Sequence, residues 1–369
     1  MDPLQQMREH QQSIQTNSTT TLARLVFVIV AFKDAEHIER IIQAIWTDQH
    51  SIILHLERTT PTEYRDQIDR IASKYTTVVV VQFGTIVYGT DAISLINYRI
   101  MNWVVNDVGL RFDFYLTMDG AVYPLWNAQE MALHMGHVKA SRNVWMGEAF
   151  RAGVRSNEER NARLLMKQKV ILTVPFKYQH SLSASEPFDA MYGFNSSIPL
   201  EHVYEVMRYK TNSGNSAVFS YKVVKELVKS AQVRLLFALA KYGCCDCVEE
   251  RTWVAALGLL NETYRKEALE HSSILQLWGG RVPTMSNTIL EASANVSYRL
   301  EDATVANWTI PLVIGDRFQK RSMNLFGNHL PELLNVAKRH GFLFARKLQS
   351  NNQGSMELLQ LIQRELHGS

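Results

Sequence analysis

Residues 24–31 are, after Arg24, an unbroken apolar and β-branched run, with Leu25, Val26, Phe27, Val28, Ile29 and Val30 in succession. A run of strand length with no polar face must be covered on both sides, so it reads as a buried strand of a parallel sheet. A helix follows at once over residues 35–46. Asp34 can cap it, and Ile38, Ile41, Ile42 and Ile45 fall on one face at helical spacing. The alternation then repeats. Residues 51–56 are a second apolar strand, Pro61 opens a helix over 61–74, and 76–81 are a third strand. Residues 91–106 carry apolar positions at helical spacing, and 112–118 are a fourth strand. Strand and helix in regular alternation predict an α/β fold with a mainly parallel, Rossmann-like sheet and right-handed crossovers.

Ligands of such sheets bind beyond the carboxyl ends of the strands. Those ends carry Lys33-Asp34, Glu57-Arg58, Tyr88-Gly89 and Asp119-Gly120. A solvated loop would account for any one pair. Four in sequence point to a nucleotide cleft. No Gly-x-Gly-x-x-Gly follows the first strand, which sets a dinucleotide-binding dehydrogenase aside.

Composition narrows the classes further. A chain of 369 residues with 46% hydrophobic content can bury a large core without covalent staples. Its charged fraction of 20% and net charge of +3 show no concentrated basic face, so no nucleic-acid partner is expected. The three cysteines crowd into Cys244-Cys245-Asp246-Cys247. They read as free thiols, because neither spread-out disulfide partners nor a second pair of zinc ligands is present. No stretch reaches the roughly 20 apolar residues of a membrane span, and the polar start lacks the form of a signal peptide. Residues 1–22 are expected to be a disordered tail.

Longer motifs carry a family resemblance. Ile29-Val30-Ala31-Phe32-Lys33-Asp34, Ile53-Leu54-His55-Leu56-Glu57-Arg58, Val87-Tyr88-Gly89 and Phe114-Tyr115-Leu116-Thr117-Met118-Asp119-Gly120 with Tyr123-Pro124-Leu125 follow one another in order. Later come Cys247-Val248-Glu249-Glu250-Arg251-Thr252-Trp253, Arg321-Ser322-Met323-Asn324-Leu325-Phe326-Gly327 and Leu343-Phe344-Ala345-Arg346-Lys347-Leu348. This ordered set resembles the core-2/I-branching N-acetylglucosaminyltransferase and xylosyltransferase family (glycosyltransferase family 14). Residues 136–246 and 262–315 match it poorly. Two departures stand out. Val122 occupies the place of the family's aspartate, and its Gly-Ser-x-Trp segment is blurred at 214–219.

The resemblance implies a glycosyltransferase-A-like single domain over residues 23–350, with a nucleotide half at 24–135, an acceptor half at 136–350 and a C-terminal helix at 351–369. The irregular residues 170–215, with Pro175, Pro187 and Pro199, are expected to shape the acceptor side. Sugar transfer from a nucleotide donor needs a base, an aligned anomeric carbon and neutralisation of the leaving diphosphate. The resemblance makes Glu250 that base. As residues alone, Glu249 and Glu250 both suit a helix start.

Many nucleotide-sugar enzymes hold the diphosphate through a divalent ion on Asp-x-Asp. That motif is absent, and a lone carboxylate such as Asp119 is a poor ligand set for a hard cation. The resemblance gives the work to Arg321 and Lys347, a planar fork and a point charge. Arg346 beside Lys347 leaves the register open by one. Lys33, Asp34, Glu57, Arg58, Tyr88, Gly89 and Asp119 complete the expected nucleotide-sugar site, with no metal and no cofactor beyond the donor.

The implied reaction is an inverting, metal-independent transfer of N-acetylglucosamine, or xylose, from a UDP-sugar to a glycan or glycoprotein. The alternative, motivated by Val122 and residues 214–219, is a non-catalytic nucleotide-sugar-binding relative. By resemblance the chain is expected in the Golgi or secretory lumen, membrane-associated through an anchor not seen in this chain, or cytoplasmic if no anchor exists. Five N-x-Ser/Thr sequons, at Asn17, Asn195, Asn261, Asn295 and Asn307, suit a luminal protein, although chance also produces them. Trp253 is expected in the core behind the Glu250 helix.

Overall fold

Four strands run parallel through the middle of the molecule: β1 (Leu25–Val30), β2 (Ser51–His55), β3 (Val78–Val81) and β4 (Phe114–Asp119). Helix α1 (Pro3–Gln15) precedes them, and α2 (Ala35–Ile45), α3 (Thr62–Ala72) and α4 (Ala92–Asn102) connect them. The computed structural model describes residues 2–15, 22–31, 34–86, 92–146, 149–151, 209–211, 216–240, 251–270, 274–276, 343–346, 359–360 and 362–364. The α/β architecture with a mainly parallel, Rossmann-like sheet is therefore present, and each of the four predicted strands lies within two residues of its expected bounds.

Downstream come β5 (Val122–Pro124), α5 (Ala128–Val138), β6 (Val144–Met146), β7 (Ala149–Arg151), β8 (Tyr209–Thr211) and β9 (Ala217–Ser220). They are followed by helices α6 (Tyr221–Lys229), α7 (Ala231–Ala240), α8 (Thr252–Leu260) and α9 (Glu262–Glu270), then by β10 (Ile274–Gln276) and β11 (Phe344–Arg346). The main sheet has six strands in the order β3-β2-β1-β4-β9-β6, with β9 antiparallel to both neighbours. A three-stranded sheet, β10-β11-β5, stands beside it, and β7 pairs with β8. Residues 217–220, part of the segment blurred relative to the family pattern, thus form an interior strand of the main sheet.

Strand periodicity divides the core between two faces. Leu25, Phe27 and Ile29 of β1 join Ile38, Ile41, Ile42 and Ile45 of α2 on one face. Val26 and Val28 join Ile96, Tyr98 and Ile100 of α4 on the other. Each fully buried Ile or Phe contributes about 1.5–3 kcal/mol relative to an exposed one. Trp253 is fully buried, with its ring centroid 5.3 Å from that of Phe219 and 5.4 Å from that of Phe237, as expected. Leu359 and Ile362, in the expected C-terminal helical region, are buried against the α2 face.

The N-terminal residues depart from the disordered tail predicted for them. Pro3–Gln15 is helical and lies on the sheet's outer strand. Met7 is fully buried. The Gln6 amide donates to the carbonyls of Thr76 (3.2 Å) and Val78 (3.0 Å), and Arg8 donates to the Asp107 carbonyl at 2.6 Å. An edge strand exposes unpaired backbone groups, and α1 covers them. Its polar sequence conceals a narrow apolar strip, Leu4 and Met7, and a helix of this length is stabilised mainly by docking. A second departure follows α4. The helical path widens into a π-turn at Trp103–Val108 and ends at Gly109, whose φ of 74° favours glycine. Among the described residues, no helix is long and apolar enough to cross a membrane.

Replacing Met7 with Ala should lower the unfolding free energy by about 2–3 kcal/mol. Gln12→Ala, on the exposed side of α1, should leave it within about 0.5 kcal/mol. Urea melts of the two variants check this. An unchanged midpoint for Met7→Ala would mean that α1 does not dock.

Candidate functional site at the strand carboxyl ends

From β1 the chain steps outward through β2 to β3, then returns across the sheet to place β4 on the other side of β1. The strand order reverses between β1 and β4, and a crevice opens at such a point beyond the carboxyl ends. Val30, the last residue of β1, lies in register with both His55 and Asp119. These three residues share one face of the sheet at that end.

Close packing positions the two loops that leave the switch point. Asp34 adopts a left-handed backbone (φ 60°, ψ 67°), and its carboxylate accepts the His37 N–H at 3.0 Å, starting α2. Asp tolerates this conformation better than most residues. On the other side, the Gly120 N–H donates to the Val30 carbonyl at 3.1 Å. A methyl group at Gly120 would stand 3.2 Å from Ile38 Cδ1 and 3.3 Å from the Val30 carbonyl oxygen. A side chain there would have to push a neighbour aside by a few tenths of an ångström, so glycine suits this tight turn away from β4 beneath α2. The next turn is held by Asp119, whose Oδ1 accepts the Ala121 N–H at 3.0 Å.

Asp34 and Asp119 converge electrostatically on His37. This imidazole is fully buried. Burial lowers its pKa most strongly and Arg40 lowers it further, while Asp34, Asp119 and the Val122 backbone favour the charged form; burial prevails. The Val122 backbone faces the ring, but among the described residues neither ring nitrogen makes a hydrogen bond of standard geometry. The Tyr123 ring packs alongside, with centroids 6.1 Å apart. His55, on the other flank of β1, is also fully buried with both ring nitrogens unpartnered among the described residues. Burial alone pulls its pKa down from 6.5 to about 4.

Asp34 and Asp119 both lie near enough to His37 to act on its charge. Glu57 and Arg58 lie one strand away, in the turn after β2. The Glu57 carbonyl accepts from Thr60 N–H (3.1 Å) and Arg65 Nη2 (3.0 Å), its carboxylate accepts from Thr59 Oγ1 (3.3 Å), and Arg58 is exposed. Lys33, Tyr88, Gly89, Glu250, Arg321, Lys347 and the three cysteines lie outside the described residues. Strand β11 nevertheless pairs antiparallel with β5, setting Arg346 opposite Val122. Lys347 is the next residue along the chain. Val122 itself is fully buried in the core.

Sequence reasoning missed His37 and His55. Each left a trace, a histidine in step with Ile41 and Ile45 on the apolar face of α2, and a histidine closing an otherwise apolar strand. Among the described residues, no three His, Cys, Asp or Glu side chains gather as a metal ion would require.

No protein-family model matches the chain, and no curated protein matches it. Among solved structures, the mannosyltransferase Ktr4p from S. cerevisiae in complex with GDP aligns over 73% of this chain and 78% of that one, at 12% identity and a TM-score of 0.35. A second structure of that mannosyltransferase aligns over 68% and 76%, at 11% identity and a TM-score of 0.32. Likenesses of this depth assign neither donor nor reaction.

The buried histidines give the fold a pH signature. A depressed histidine pKa means that the unfolded chain binds a proton the folded chain refuses. Stability is therefore full above pH 6.5 and is lost as pH falls from 6.5 towards about 4. For His55 the full effect amounts to roughly 3 kcal/mol. His55→Leu removes the titration, so its loss of stability between about pH 7 and about pH 4.5 should be smaller than that of the unsubstituted protein by roughly 2–3 kcal/mol. Urea midpoints at the two pH values measure this, and parallel losses would contradict it.

Proposed function

We propose that the chain is a glycosyltransferase-A-like enzyme that binds a nucleotide sugar at the β1–β4 switch point. In this reading it transfers N-acetylglucosamine, or xylose, from a UDP-sugar to a glycan or glycoprotein. One observation carries the reading most. The pairing of β11 with β5 sets Arg346 opposite Val122, joining two segments far apart in sequence that the family resemblance independently assigns to one site. The convergence of Asp34 and Asp119 on His37 supports the same location.

The chemistry proposed there is a single displacement. An acceptor hydroxyl attacks the anomeric carbon from the face opposite the diphosphate, the bond from that carbon to the diphosphate oxygen breaks, and configuration inverts. Glu250 takes the hydroxyl proton. Arg321 and Lys347 offset the charge that grows on the diphosphate, with charge-assisted hydrogen bonds in place of a divalent ion. Asp34 and Asp119, each accepting a backbone N–H, hold the two loops that frame the donor. This reading places the reaction in the secretory lumen.

The burial of Val122 favours a second reading, a relative that binds the nucleotide sugar without transfer, because no carboxylate stands where the family pattern has one. One set of measurements separates the two. Calorimetric titration with UDP in EDTA should give the same affinity as with magnesium, and Glu250→Gln should retain it. Transfer to glycan acceptors by Glu250→Gln should fall by about a hundredfold or more. Loss of binding on chelation would refute the metal-independent site, and undiminished transfer by Glu250→Gln would place the base elsewhere. UDP binding by the unsubstituted chain with no transfer to any acceptor would favour the second reading.

A further inference from the structure

The sequon Asn261-Glu262-Thr263 has no part in the proposed reaction. Asn261 is the one residue between α8 and α9, Glu262 and Thr263 begin α9, and all three are exposed. The Asn261 backbone is extended (φ −163°, ψ 127°), and its N–H closes α8 by donating to the Leu257 carbonyl. Its side-chain Oδ1 accepts the Thr263 N–H at 2.9 Å. The amide oxygen is thus occupied by the third residue of its own sequon. Nδ2 makes no hydrogen bond among the described residues.

The turn is rigidly seated. Trp253 of α8 and Tyr264 and Ala268 of α9 are buried. The Glu267 carboxylate accepts the backbone N–H groups of Asn143 (2.8 Å) and Val144 (3.1 Å), fastening α9 to the start of β6. β6 lies two strands from β4 in the main sheet. A large substituent on Asn261 Nδ2 would project from an exposed corner between two anchored helices. It would leave the Oδ1 cap in place, because only the nitrogen is substituted.

We propose that Asn261 carries an N-linked oligosaccharide. Its Nδ2 forms a bond to the anomeric carbon of an oligosaccharide supplied on a lipid diphosphate. The bond from that carbon to the diphosphate breaks, the lipid diphosphate leaves, and one Nδ2 proton passes to a base of the transferring enzyme. The other four sequons lie outside the described residues. The proposal rests on the luminal placement of the proposed function, and an occupied Asn261 means that this surface faced the lumen.

The full chain, carried into endoplasmic-reticulum microsomes by a cleavable leader, tests it. Release of glycans by peptide N-glycosidase in heavy-oxygen water, followed by peptide mass spectrometry, should show position 261 converted to isotopically labelled Asp. Thr263→Ser, which keeps the sequon, should retain the label. Thr263→Ala should lose it while melting like the unsubstituted chain, because the backbone N–H that caps Asn261 is unchanged. An unlabelled Asn261 in translocated chain, with the other sequons occupied or empty, overturns the proposal.

Discussion

The parallel pairing of β1 with β4 is the contact on which the rest of the molecule depends. It puts an apolar strand in the middle of the sheet, where both faces must be covered, and so calls for helices on either side. It also brings the ends of two non-consecutive strands side by side. Gly120 then donates to Val30 in a space where a methyl group would be crowded between that carbonyl and Ile38. A side chain there would push against backbone on one side and the first turn of α2 on the other. Fold and candidate site share this close approach, since the contact between Gly120 and α2 lies at the carboxyl ends of β1 and β4.

Electrostatics at the crevice follow from that packing. Asp34 and Asp119 each accept a backbone N–H, which fixes the start of α2 and the turn after β4. Between them, His37 is kept from charging by its surroundings in spite of two nearby carboxylates. His55, across the strand, is held neutral by burial alone. Such a site favours preorganised neutral dipoles and carboxylates at the strand ends. In the proposed reaction it leaves the countercharge for a diphosphate to Arg321 and Lys347.

Much of this was legible in sequence. The four parallel strands and the helices between them over residues 24–119 follow largely from hydrophobic period, because Ile38, Ile41, Ile42 and Ile45 can be buried together only on a helix, and β1 only within a sheet. The capping role of Asp34 was legible too, from its place before the first apolar turn. Helix α1 was not, because its stability comes from Met7 and Gln6 meeting β3, a tertiary contact without local signature. Nor was the pairing of Arg346 with Val122, since no period links residues so far apart. His37 and His55 were passed over because a single histidine in an apolar run carries little weight until its burial is known.

The central claim is that a nucleotide diphosphate sits at the β1–β4 switch point. Amide hydrogen exchange in saturating UDP and EDTA tests it most directly, because bound ligand suppresses local opening where it makes contact. Exchange should slow in peptides covering residues 34–38 and 118–122 and stay unchanged across α6. UDP that binds while slowing exchange elsewhere, with these two segments untouched, would contradict the account.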